Sequence, residues 1–128
     1  IGKSMSAFKI KFKIQEFFFN IEEILSFTDI AISRGGAGTI NDLIKYRIPS
    51  IIFPISNSVY NHQNLNAKIL ADINAAIVLN ENNFDPIEGA EVFSDLIINK
   101  NKYTLMKKSL EKIKVLNANR IIIDTIYD

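Results

Sequence analysis

Apolar and polar positions along the chain switch repeatedly between a two-residue and a helical period, as stacked β-α-β units require. From Phe8 to Gln15 the order FKIKFKIQ sets Phe8, Ile10, Phe12 and Ile14 on one side and lysines on the other, predicting a strand with one wet face. Asn20 is placed to cap a short helix in which Ile21, Ile24 and Leu25 share a face, with Glu22 and Glu23 in its first turn. Asp29 to Ser33 reads as a compact buried strand. After Arg34-Gly35-Gly36-Ala37-Gly38, a helix is expected from near Thr39 to about Tyr46, with Ile40, Leu43 and Ile44 inward. Pro49 to Pro54 is a second buried strand bracketed by prolines, and the polar loop Ile55 to Asn61 leads into a helix from about His62 to Ala71. In that helix the spacing turns Leu65, Ile69 and Leu70 to the core. Ala75 to Leu79 predicts the last strand, and Asp85-Pro86 an N-cap and first-turn proline for a helix to about Ile97. Helical patterns over Lys102 to Val115 and from Asn117 onward complete an α/β chain with a parallel sheet.

Composition narrows what such a sheet can serve. The 128 residues suffice for one core but not for two lobes and a cleft, so any site is small or half of a larger one. Fifteen Lys+Arg against fourteen Asp+Glu leave a net charge of +1, too little field to point to nucleic acid. The lysines are uneven, alternating at Lys9, Lys11 and Lys13 and crowding at Lys100, Lys102, Lys107, Lys108, Lys112 and Lys114. Either a solvated face or attraction to an anionic membrane or partner accounts for them. Without cysteine there is no disulfide framework or thiolate metal site. No run reaches the roughly 18 apolar residues of a membrane span, and the start at Ile1, opening at once into a strand pattern, suggests upstream sequence.

The strongest candidate chemistry lies where a strand runs into Ser33-Arg34-Gly35-Gly36-Ala37-Gly38-Thr39 and then a helix. Glycines let a backbone approach a ligand, and the first turn of a helix offers unpaired N–H groups and the positive end of its dipole to an anion. The segment is neither a Walker loop nor a GxGxxG turn, and a tight structural turn is an equal reading. Thr39 and Asp42 stand in a T-x-x-D relation, either a cap with its capping-box partner or a carboxylate placed for ribose hydroxyls beyond a phosphate site. His62, the single histidine, opens a helix beside Asn61, Gln63, Asn64 and Asn66. It reads as a surface or capping residue, or as part of an amide-rich patch suited to hydroxyl recognition.

In order and spacing, Ser33-Arg34-x-Gly36-Ala37-x-Thr39-x-x-Asp42, Pro49-Ser50-Ile51-x-x-Pro54, Asn61-His62-Gln63-x-x-Asn66-Ala67 and Ala75-Ala76 together resemble the MurG family of GT-B glycosyltransferases. The likeness covers about Lys13 to Leu79 well and the flanks in pattern only. It implies a Rossmann-like three-layer sandwich, the C-terminal half of a GT-B fold. Residues 1–128 would then be one UDP-sugar donor-binding domain, incomplete at its N-terminus, with C-terminal helices at about 102–128. The implied reaction is inverting transfer of N-acetylglucosamine from UDP-N-acetylglucosamine to undecaprenyl-pyrophosphoryl-muramyl-pentapeptide, the lipid I to lipid II step of peptidoglycan synthesis. Its implied place is the cytoplasmic face of the bacterial plasma membrane, held peripherally, with the acceptor on an N-terminal lobe and no nucleic acid involved.

Carried over by residue, the resemblance implies that the Phe17-Phe18 corner faces uracil and that Ala37, Gly38 and Thr39 meet the diphosphate. Asp42 would hold the ribose, His62 and Gln63 the sugar hydroxyls, while Arg34 and Gly36 shape the loop. It implies no catalytic residue in this chain and no tightly bound cofactor; a divalent cation can assist, but no Asp-x-Asp pair is present to hold it. Asp42 stands where the family usually has Glu, and Gly35 and Gly38 replace residues that are often larger, which predicts a looser loop. Without its partner lobe the chain is not expected to catalyse. Two rivals remain. A dolichol-linked chitobiose-forming transferase shares the fold and Asn-His-Gln but usually starts its turn with His-Ala-Gly, and a non-catalytic nucleotide-binding module needs only the fold.

Overall fold

A computed structural model of the chain describes residues 11, 13–55 and 61–113. Half of the expected strand Phe8 to Gln15, most of the loop Ile55 to Asn61, Val115 and the helical pattern from Asn117 onward lie outside these residues. The described positions 11 and 13–15 of that first strand are coil.

The elements run α1 (Ile21–Ser26), β1 (Ala31–Ser33), α2 (Ala37–Lys45), β2 (Ser50–Ile52), α3 (His62–Asp72), β3 (Ala76–Val78), a 3-10 turn (Glu81–Asn83), α4 (Pro86–Ile98) and α5 (Lys100–Glu111). The three strands form one parallel sheet in sequence order, with Ile32, Ile51 and Ile77 in register. Each strand is joined to the next by a helix, as a parallel pair demands.

Neighbouring residues on a strand face opposite ways, so the sheet divides the apolar side chains between two cores. Ile52 and Ala76 pack with Ile40, Leu43 and Ile44 of α2 and Ala67 and Leu70 of α3. Ile51 packs on the other side with Leu96 of α4 and Met106 of α5, while Leu110 near the end of α5 reaches the first core. The result is the parallel α/β sheet that the pattern predicts, in the three-layer arrangement that the resemblance implies.

β2 is buried at all three positions, but Ile32, in the middle of β1 and on the face of Ile51, is 58% exposed. The compact buried strand expected at Asp29 to Ser33 is thus, among the described residues, an edge strand covered on one face only.

Helix ends follow local chemistry. Asp85 accepts from the Ile87 amide at 2.8 Å and Pro86 occupies the first helical position, as its spacing predicts. Asn99 caps α5 through the Lys102 amide at 3.1 Å, which starts that helix two residues earlier than its apolar pattern suggests. Asn20 precedes α1 without a side-chain cap and bonds Glu23 instead. α2 and α3 end alike: Ile48 N–H bonds Leu43 C=O and Arg47 N–H bonds Ile44 C=O, and Ala75 and Asn74 repeat this on Leu70 and Ala71. Both are Schellman closures with a left-handed residue, Arg47 at φ 55° and Asn74 at φ 56°, and each delivers the chain straight into the next strand.

Candidate functional site

The carboxyl ends of all three strands open on one edge of the sheet, where parallel α/β folds place their ligands. β1 ends at Ser33, and Gly36 becomes the N-cap of α2 in extended backbone (φ −66°, ψ 143°) with no side chain to close the helix. Ile40 N–H is bonded back to Gly36 C=O at 2.9 Å, so Ala37, Gly38 and Thr39 form the first turn, whose N–H groups precede the helical ladder. Thr39 is therefore the third helical residue and not the cap. The T-x-x-D capping box is corrected to a pair one turn apart inside α2. Asp42 shares a face with Gly38 and Thr39, half-buried, about 7.5 Å along the axis from Ala37.

The first turn of α3 is pressed against this loop. A Cβ on Gly35 would sit 2.3 Å from the backbone oxygen of Gln63, so only glycine fits. Asn66 is 3% exposed and donates to Gly35 C=O at 3.1 Å, and its own Oδ1 is buried with no hydrogen-bond partner. The looser loop expected from Gly35 is thus reversed, because the missing side chain admits α3 more closely; at Gly38 no atom lies within 4 Å of an added Cβ.

Gln63 turns its Oε1 to the Ile55 amide at 3.0 Å and so ties the loop after β2 to α3. His62 opens α3 half-buried, next to Asn61, whose left-handed backbone (φ 58°) makes the turn into the helix. Leu65, predicted to face the core, is 37% exposed; Asn66 and Ala67 take the inward positions with Leu70. Of the amide-rich patch, then, Asn66 serves the loop backbone.

Arg34 spans the edge. Its guanidinium donates to Phe53 C=O at 3.3 Å and pairs with the Glu81 carboxylate on the turn after β3. Phe53 and Phe84 close the same corner edge to face, 5.0 Å between centroids, beside a cavity of about 450 Å³ lined by Ile32, Ser33, Arg34, Phe53, Glu81 and Phe84. Glu81 lies outside every motif above, and its one sequence signal is its position just past the end of the last strand.

The Phe17-Phe18 corner stands apart from this edge. Phe17 is 67% exposed and meets Phe19 edge to face at 5.2 Å, while Phe18 is half-buried under the Lys13 ammonium. Phe18 lines a cavity of about 670 Å³ with Phe19, Asn20, Glu23, Ile24 and Phe27, to which the Arg34 to Thr39 turn contributes no wall. The link between the two regions is α1: Lys45 at the end of α2 binds Glu22 at 3.0 Å, and this bond raises the Lys45 pKa above its ordinary value. The described residues hold no cluster of three or more acidic or histidine side chains able to bind a metal ion.

Residues 2–121 match the glycosyltransferase family 28 C-terminal domain. The chain is 37% identical, over 92% of its length, to a protein of Prochlorococcus marinus subsp. pastoris named UDP-N-acetylglucosamine--N-acetylmuramyl-(pentapeptide) pyrophosphoryl-undecaprenol N-acetylglucosamine transferase, of which it covers 35%. It is 39% identical over 82% of its length to the protein of the same name from Prochlorococcus marinus strain MIT 9301, covering 31% of that one. Its fold superposes on the crystal structure of Acinetobacter baumannii MurG with a TM-score of 0.73 at 22% identity, over 91% of this chain and 33% of the other. The chain therefore spans about a third of the length of the curated relatives it matches.

Proposed function

This chain belongs to glycosyltransferase family 28, as its C-terminal domain, and from that premise we propose that it is the donor-binding part of an N-acetylglucosaminyltransferase acting on UDP-N-acetylglucosamine. The observation that carries the reading is the uncapped first turn of α2, set behind a glycine turn at the carboxyl edge of the sheet. The amides of Ala37, Gly38 and Thr39 and the helix dipole would hold the diphosphate. Asp42 would accept the ribose hydroxyls, and His62 and Gln63 would bind the sugar. Phe17 and Phe18 would reach uracil, with α1 and the Lys45 to Glu22 bond fixing their approach.

Displacement at the anomeric carbon leaves negative charge on UDP. Oriented N–H groups stabilise that charge more as it develops than in the bound donor, which is the condition for catalysis by binding. The acceptor, an undecaprenyl-pyrophosphoryl-muramyl-pentapeptide as in the names of the relatives, would be presented by a further lobe at the membrane surface. No described helix is long and apolar enough to cross a membrane. Calorimetry with UDP, UDP-N-acetylglucosamine and ADP tests the reading. Saturable binding that prefers uridine supports it; no binding, or equal binding of ADP, contradicts it and favours a non-catalytic module.

A further inference from the structure

The Arg34 to Glu81 pair joins segments 47 residues apart, and its exposure leaves it little weight in overall stability. The two side chains are 52% and 34% exposed, and ion pairs that wet contribute little to stability. Yet the pair sits at a mechanically decisive place. Arg34 immediately precedes Gly35 and Gly36, the residues that set the entry angle of α2. Its guanidinium reaches the end of β2 through Phe53 C=O and the turn after β3 through Glu81. That turn is itself held, since Asn80 Oδ1 accepts from the Asn82 amide at 2.9 Å and Phe84 packs on Phe53 at 5.0 Å.

We propose that Glu81 is a positioning residue of the donor site: through Arg34 it fixes the backbone of the Ser33 to Gly36 turn, and so the aim of the α2 amides at the donor's phosphates. The inference rests on the donor-site reading above. Neutralising Glu81 replaces a charge-assisted bond to Arg34 with a weaker bond to a neutral amide oxygen and lets the turn sample other directions. Groups that bind phosphate through backbone N–H lose alignment, whereas contacts to the nucleoside do not.

The test compares UDP with uridine, which lacks phosphate, in titrations of the 128-residue chain followed by amide chemical shifts. Glu81→Gln is expected to weaken UDP at least about fivefold, a loss of about 1 kcal/mol, and uridine by less than twofold. Glu81→Asp, which keeps the charge, should bind UDP within about twofold of the unchanged chain, and the melting temperature of both variants should stay within about 2 °C. Equal UDP affinity in Glu81→Gln, or parallel loss of UDP, uridine and melting temperature, overturns the role. An unchanged chain that ignores UDP overturns the donor site itself, and this role with it.

Discussion

Gly35 and Gln63 approach more closely than any residue with a β-carbon would permit, the backbone oxygen of Gln63 standing 2.3 Å from where that carbon would be. The obstacle is main chain in the first turn of α3, and it cannot rotate away as a side chain could. Gly35→Ala is therefore expected to cost about 1–3 kcal/mol, because either α3 or the loop must shift. Gly38→Ala meets nothing within 4 Å and should be neutral or stabilising by roughly 0.5 kcal/mol through helix propensity. Urea unfolding of the two variants checks the contrast; equal effects would refute the close approach.

Asn66 holds the other side of the same loop, donating from a buried site to Gly35 C=O. Asn66→Ala leaves that carbonyl without its partner and opens a small void, with an expected loss of about 1–3 kcal/mol. Asn66→Asp, nearly the same shape, turns an acceptor onto an acceptor and should destabilise at least as much at neutral pH. Unfolding curves at matched pH measure both, and an Asp variant as stable as the unchanged chain would remove the hydrogen bond from the account.

How much of this was legible in advance depended on how far the deciding contact lay along the chain. The Asp85-Pro86 start is written into adjacent residues, and Ile40, Leu43 and Ile44 follow from helical spacing alone. Leu65 and Asn66 trade places because the need of Gly35 C=O for a donor, 31 residues away, outweighs side-chain polarity. Thr39 looked like a cap because it is the first hydroxyl near the helix, whereas Gly36 begins α2 with backbone only. Glu81 carried no signal beyond its place just past the last strand, since its partner arrives through the sheet. The motif order carried the family; the crowding of α3 onto the loop needed coordinates.

Arg47 closes α2 in a left-handed conformation at φ 55°, which costs an L-residue with a side chain roughly 1 kcal/mol. Arg47→Gly should recover about that amount without altering the Schellman bonds from Ile48 and Arg47, which use only main chain. A higher urea midpoint at unchanged slope is the expected readout; a lower midpoint would mean that the Arg47 side chain contributes more than its backbone strain.

The α4 to α5 hairpin carries a pH signature. A hydrogen bond from Lys102, at 2.6 Å, holds the Asp95 carboxyl below its ordinary value of 3.8, with help from Asn99. A folded-state pKa below the unfolded one makes this contribution fully present above pH 3.8, and it is lost as pH falls through the lower folded value. Lys102→Met should return the Asp95 titration, followed by side-chain carbon shifts, to the ordinary range. A titration that does not move would show that the pair is solvent-separated.

The central claim is that the first turn of α2 receives the donor's diphosphate, and amide resonances report on it residue by residue. On titration with UDP, the Ala37, Gly38 and Thr39 amide signals should move saturably and together, with Asp42→Ala weakening the apparent affinity and ADP producing smaller shifts at the same concentration. Saturable UDP binding that leaves those three amides in place, or no saturable shift anywhere in the chain, would contradict it.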